Sequence, residues 1–165
     1  MNNSERREEM IAAAYDRHAD MMYRLALSHL QNSEDAADAV QDVFVKFITS
    51  APDFNTPEHE KAWFIRATVN RCYDMLRRRN IRNHIDLDEI SEVVPDEESL
   101  REPEDESAIM NLLAMIPEKN RAAVVLHYLE GYSVEKTART LGIGVSAVKM
   151  RLARAREALK GRLSE

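Results

Sequence analysis

Cysteine is almost absent: Cys72 is the single one in 165 residues. No internal disulfide can form, and the composition suits a reducing compartment. Only 4 glycines and 5 prolines occur, so turn-forming residues are scarce and helices are favoured. Aromatic residues make up 6% of the chain. No apolar run approaches the roughly 20 residues needed to span a bilayer, so no membrane insertion is expected. The opening "MNNSERREEM" lacks the apolar core of a secretory signal. The five histidines are scattered without paired ligand spacing, which argues against a zinc site. No glycine-rich phosphate loop, nucleophile signature or carboxylate–histidine cluster is present. These absences point to a cytoplasmic, all-α protein that is not an enzyme and needs no cofactor.

What is present is unevenly distributed charge. The chain carries a formal net charge of -6. Residues 1–80 account for -2, residues 81–107 for -9 and residues 108–165 for +5. The acidity therefore sits in the middle and says little about what either end binds. The expected architecture is two small helical domains, residues 1–80 and 108–165. An acidic flexible linker, residues 81–107, joins them; it holds Pro95 and Pro103 and too few apolar residues to repay ordering.

Three helices are expected in the first domain. Residues 7–30 repeat apolar side chains at Ile11, Ala14/Tyr15, Met22, Leu25 and Leu30. Asn32 and Ser33 can cap a second helix through residue 49, with Ala37, Val40, Phe44, Phe47 and Ile48 on its core face. Val43 and Val45 widen that arc, and Asp38, Gln41 and Asp42 lie beside it. The arc reads either as deep core or as a seat for a partner helix. After the loop "APDFNTP", a third helix is expected from about 58 to 79. Ile65, Val69, Cys72 and Leu76 form its apolar face. Trp63, Arg66, Asn70, Asp74 and Arg77 form the other. Tryptophan can stack on an unpaired base, asparagine can bond its edge and arginine can follow phosphates. For Trp63 itself, half burial in the core is the simpler reading. Cys72 reads as a small core hydrophobe.

In the second domain, "AIMNLLAMI" is a short helix from about residue 108. Pro117 suits the first position of the next helix, which stops at Gly131. Ser133 caps "VEKTARTL", with Ala138 and Leu141 facing inward. A glycine-bearing turn then leads to "VSAVKMRLARAREALKGRL", residues 145–163. This is the form of a helix-turn-helix. Val145, Val148, Leu152 and Leu159 make the seam of its last helix. Lys149, Arg156 and Lys160 line one edge of that seam, and Arg151 and Arg162 the other. Ser146, Met150, Ala153, Arg154 and Glu157 lie opposite the core. Slim side chains flanked by cations suit a helix entering a major groove. A solvated basic helix is the plainer alternative.

Taken together, "DAVQDVFVKF", "AWFIRATVNRCYDMLRRR" and "IPEKNRAAVVLHYLEGYSVEKTARTLGIGVSAVKMRLARARE" resemble bacterial RNA polymerase sigma factors. The likeness is to the small extracytoplasmic-function (ECF) group, which keeps regions 2 and 4. It covers about residues 10–80 and 108–163. The resemblance implies a transcription-initiation factor that binds core RNA polymerase and directs it to promoter DNA. Region 2 would hold the β′ coiled coil through Asp38, Gln41, Asp42 and Val45. It would take the melted −10 strand with Phe54, Asn55, Trp63, Arg66, Asn70, Arg71 and Arg77. Region 4 would dock on the β flap and read the −35 duplex with Ser146, Lys149, Met150, Arg151, Ala153, Arg154 and Arg156. An anti-sigma protein is a further implied partner. Three positions depart from the family habit. Lys136 stands where an acid commonly completes a capping box with Ser133. Met150 replaces a small polar residue, and Ala153 a larger one.

Overall fold

The computed structural model describes residues 2–85 and 104–163; the acidic stretch between, most of the expected linker, lies outside the described residues. Seven helices follow in order, with no strand among the described residues. They are α1 (Asn3–Leu30), α2 (Ser33–Ser50), α3 (Pro57–Ile85), α4 (Glu104–Met115), α5 (Glu118–Val124), α6 (Val134–Leu141) and α7 (Val145–Leu163). A π-helical turn, Val125–Leu129, continues α5.

Local chemistry explains most of the boundaries. Asn2 caps α1 by accepting from the Glu5 N–H at 2.8 Å, so the helix starts at Asn3, four residues ahead of the expected start. Asn32 caps α2 through the Asp35 N–H at 2.9 Å, and Glu34 and Asp35 meet the positive end of the helix dipole. α3 runs to Ile85, six residues past the expected stop, because no glycine or proline interrupts "RRRNIRNHI". α4 likewise starts four residues early, at Glu104. Pro117 is not the first helical residue but the cap before it, with φ −53° and ψ 137°. Gly131 and Gly142 both take left-handed backbone, φ 74° and 70°, and end the π turn and α6.

The first three helices pack mutually, and burial corrects the expected face of α2. Ala36, Ala39, Val40, Val43 and Phe44 are buried, whereas Ala37 is exposed. The inward arc centres one position away from Ala37, so Val43 belongs to the core and only Val45, 53% exposed, remains on the outer arc. On α1, Tyr15 is exposed and His18 is buried in line with Ala14 and Met22. On α3, Leu76 is only partly buried, while Ile65, Val69 and Cys72 are fully inside. Burial pushes the Cys72 thiol up to about 12, so it is inert.

One apolar cluster joins both halves of the chain. Met21 and Leu25 of α1 and Ile65 and Val69 of α3 pack with Leu113, Ile116, Val125, Leu126, Val148 and Leu152. Hydrogen bonds cross the same seam. Arg121 donates to the carbonyl of His29 at 2.8 Å, at the C-terminal end of α1. Arg24 pairs with Glu130 at 3.0 Å.

Candidate nucleic-acid interface

The α6–turn–α7 unit is built by a short list of contacts. Ser133 accepts from the Lys136 N–H at 3.0 Å, so α6 is capped even without the reciprocal acid. Lys136 instead sets its ammonium 4.2 Å from the Tyr132 ring centroid. Gly142 gives the turn its left-handed residue, and the Ile143 N–H reaches back to the Ala138 carbonyl at 3.0 Å. Val148, Leu152 and Ala155 are buried and seat α7; Val145 is exposed at 37% and Leu159 only partly buried. Ala155, which the sequence reading passed over, takes the place expected of Val145.

Opposite that seam lie Ser146, Met150, Arg154 and Glu157, all exposed, with Ala153 partly buried and Lys149, also exposed, at the edge. Their spacing of three and four residues makes one stripe along the helix. Lys149 and Arg154 have no hydrogen bond or ion pair with any described residue. The flanks are less open than the sequence suggested. Arg151 donates to the Lys119 carbonyl at 3.3 Å, and Arg156 to the Tyr128 hydroxyl at 3.0 Å.

The α3 surface is assembled around an aromatic cluster. Trp63 is half-buried, edge-on to Phe64 with centroids 5.0 Å apart and 6.0 Å from Phe47. Phe54 stacks on Phe47, interplanar angle 12°, and meets Trp63 edge-on. Asn55 is exposed, its N–H directed to His59 Nδ1 at 3.4 Å. Asn70 is exposed on the outer face of α3. Arg77 pairs with Asp74. Arg71 pairs with Asp42 at 2.9 Å, which ties α3 to α2. Arg66 turns toward the second half: Nε donates to the Thr140 carbonyl at 2.7 Å and Nη2 to the Arg139 carbonyl at 2.8 Å. Its guanidinium lies over Gly142, 3.4 Å from where a Cβ would stand.

On α2, Asp38, Gln41, Asp42 and Val45 are all exposed and fall on one strip, three and four residues apart. Beneath the α3 start lies a group that sequence reasoning missed. His18 is buried, stacked on Phe64 at 4.6 Å, with Nε2 3.3 Å from Glu60 Oε2. Burial lowers its pKa, and Glu60 opposes that shift. Its helical spacing from Ala14 and Met22 was the only available signal. A second missed group, Lys61, Tyr132, Lys136 and Arg139, gathers with Arg66 at the seam. It joins residues from both halves, so no spacing within either half announces it.

The fold and these surfaces define a helical protein of two parts, the second a helix-turn-helix. Comparison with known proteins makes this particular. Residues 14–81 match Sigma-70 region 2, and residues 106–159 match Sigma-70 region 4. The chain is 36% identical over 145 residues to the ECF RNA polymerase sigma factor SigM of Mycobacterium tuberculosis, covering 88% of this chain and 72% of that one. It is 26% identical to the RNA polymerase sigma factor SigV of Bacillus subtilis, covering 100% of this chain and 98% of that one. Among solved structures, the sigma factor RpoE in complex with the anti-sigma factor NepR from Bartonella quintana superposes with a TM-score of 0.72. At 23% identity it covers 95% of this chain and 96% of that chain, a likeness of fold. The chain belongs to the ECF RNA polymerase sigma factors and directs promoter-specific transcription.

Proposed function

We infer that this sigma factor divides its work among three surfaces. The α7 stripe of Ser146, Lys149, Met150, Ala153 and Arg154, flanked by Arg151 and Arg156, reads the −35 duplex. The α3 face with Phe54, Asn55, Trp63, Arg66, Asn70, Arg71 and Arg77 holds the melted −10 strand. The α2 strip of Asp38, Gln41, Asp42 and Val45 seats core polymerase on its β′ coiled coil, and the second domain meets the β flap. The observation that carries this reading is the α7 stripe. Val148, Leu152 and Ala155 fix the helix from behind while Lys149 and Arg154 project with no described partner. Cations left unpaired on a rigid helix serve phosphates and base edges.

The domain limits that fit this division are residues 1–80, 81–107 and 108–165. The protein works in the cytoplasm as a binding factor and supplies no catalytic group to the polymerase. An anti-sigma protein is a further partner: the similar RpoE structure holds the anti-sigma factor NepR, and a second similar structure, CnrH, 24% identical with a TM-score of 0.68, holds the cytosolic domain of CnrY. The decisive experiment mixes core polymerase with this chain on genomic DNA and sequences the transcripts. Starts that share spaced −10 and −35 elements are expected. Failure to bind core polymerase would remove the reading. Core binding without promoter-dependent starts would turn it into that of a sequestering mimic.

A further inference from the structure

The seam between the two halves contains a cleft of about 260 Å³. Lys61 and Arg66 line it from α3, Lys136 and Arg139 from α6, with Tyr132, Thr56 and His59 between them. The ammonium groups of Lys61 and Lys136 lie 5.4 and 4.2 Å from the same Tyr132 ring centroid. None of the four cations forms an ion pair with a carboxylate among the described residues. Glu58 is the one acid on the wall, and Glu60 is committed to Arg17 and His18. Arg66 is held by the Thr140 and Arg139 carbonyls through Nε and Nη2, which anchors its guanidinium at the wall.

Closing the two halves thus gathers like charges that the protein does not neutralise. The two ammonium groups share one ring and so lie within about a Debye length, ~10 Å, of each other, where solvent ions screen them only partly. A multiply charged anion in the cleft would turn that repulsion into attraction. It would bridge α3 and α6 across the seam between the two halves. We propose that this cleft binds a small polyphosphate, either a free polyphosphate or the phosphate tail of a nucleotide, and that the ligand clamps the two halves shut. The cleft is of a size for a di- or triphosphate and too small for a duplex. The ligand opposes any use of Arg66 elsewhere, because the clamped form keeps Arg66 on the α6 carbonyls. The proposal goes beyond promoter reading and does not rest on it.

Calorimetric titration of the full chain with sodium tripolyphosphate, at fixed ionic strength, tests this. Saturable one-to-one binding is expected, with a rise in Tm and no increase in the radius of gyration by small-angle scattering. Lys136→Ala with Arg139→Ala should weaken binding at least tenfold, and Arg139→Glu alone should do the same. Circular dichroism checks that both variants fold. Lys46→Ala, on the exposed face of α2, should leave binding unchanged. ATP in place of tripolyphosphate separates the two sources: similar affinity indicates a free polyphosphate, and tenfold tighter binding a nucleotide. Absence of saturation, an equal loss in Lys46→Ala, or an increased radius on binding would overturn the proposal. So would preferential binding of a short single-stranded DNA, lost in the same variants, which would make the cleft a nucleic-acid site.

Discussion

His29 is buried against the edge of Tyr73, its Nδ1 donating to the Leu25 carbonyl at 2.9 Å. Burial, with a smaller contribution from the nearby Arg121 guanidinium, lowers its pKa to about 4 against the raising effect of the bond to the Leu25 carbonyl. Between about pH 6.5 and pH 4 the unfolded chain binds this proton and the folded chain does not. Stability therefore falls as pH drops through that window, by about 1.4 kcal/mol per pH unit at most. His18 is shifted in the same direction, so it adds to the slope. Urea titrations at pH 7, 6 and 5 should show a falling midpoint, and His29→Gln should flatten the dependence. An unchanged slope in that variant would assign the proton uptake to other groups. Gly142 poses a second test at this scale. Its φ of 70° disfavours any Cβ, and the Arg66 guanidinium lies 3.4 Å from where one would stand. Gly142→Ala should cost about 1 kcal/mol or more, read as a lower Tm.

At the scale of the element, α7 and α2 carry separable predictions. Arg154 stands on the exposed stripe of α7, away from the buried Val148 and Leu152. Arg154→Ala should lower affinity for a −35 duplex by about 1–3 kcal/mol while core polymerase binding is kept. Equal loss of both would detach α7 from the −35 role. Asp42→Lys breaks the pair with Arg71 and reverses the charge of the α2 strip. Competition for core polymerase should weaken, and unchanged competition would remove α2 from that contact. The elements themselves were largely legible in the sequence. The caps Asn32 and Ser133 and the stop at Gly142 announced α2 and α6, because cap and turn chemistry is local. Apolar periodicity located Val148 and Leu152 but misplaced Ala37, since alanine satisfies either face and only the partner helix decides. His18 was illegible for a related reason: a polar side chain enters the core only when a distant residue, here Glu60, waits for it. The α7 stripe was readable from spacing. The hydrogen bonds that occupy Arg151 and Arg156 were not, because their acceptors lie 32 and 28 residues away.

At the scale of the whole molecule, the unresolved tension is between closure and DNA binding. The −10 role proposed for α3 requires Arg66 to meet phosphate, yet here it serves two carbonyls of α6. The seam also leaves polar atoms without a protein partner: His29 Nε2, Tyr73 Oη and Asn120 Oδ1 are all buried. An interface that buries unsatisfied polar groups gives up part of its apolar gain, so it is easier to separate than a continuous core. Arg121 is the clasp that offsets this cost. Besides the His29 carbonyl it donates from Nε to the Ile116 carbonyl at 2.8 Å. Its positive charge sits where the dipole of α1 is negative. Arg121→Ala removes that charge and strips two carbonyls of a charge-assisted donor. The expected result is an opened molecule: a larger radius of gyration by small-angle scattering and faster amide exchange in the last turn of α1. Arg121→Lys should restore the compact radius only in part, since one ammonium cannot match the guanidinium fork. If opening frees Arg66, Arg121→Ala should bind a −10 single strand more tightly than the parent chain does. Weaker binding in an opened molecule would mean that the seam prepares α3 for DNA rather than competing with it.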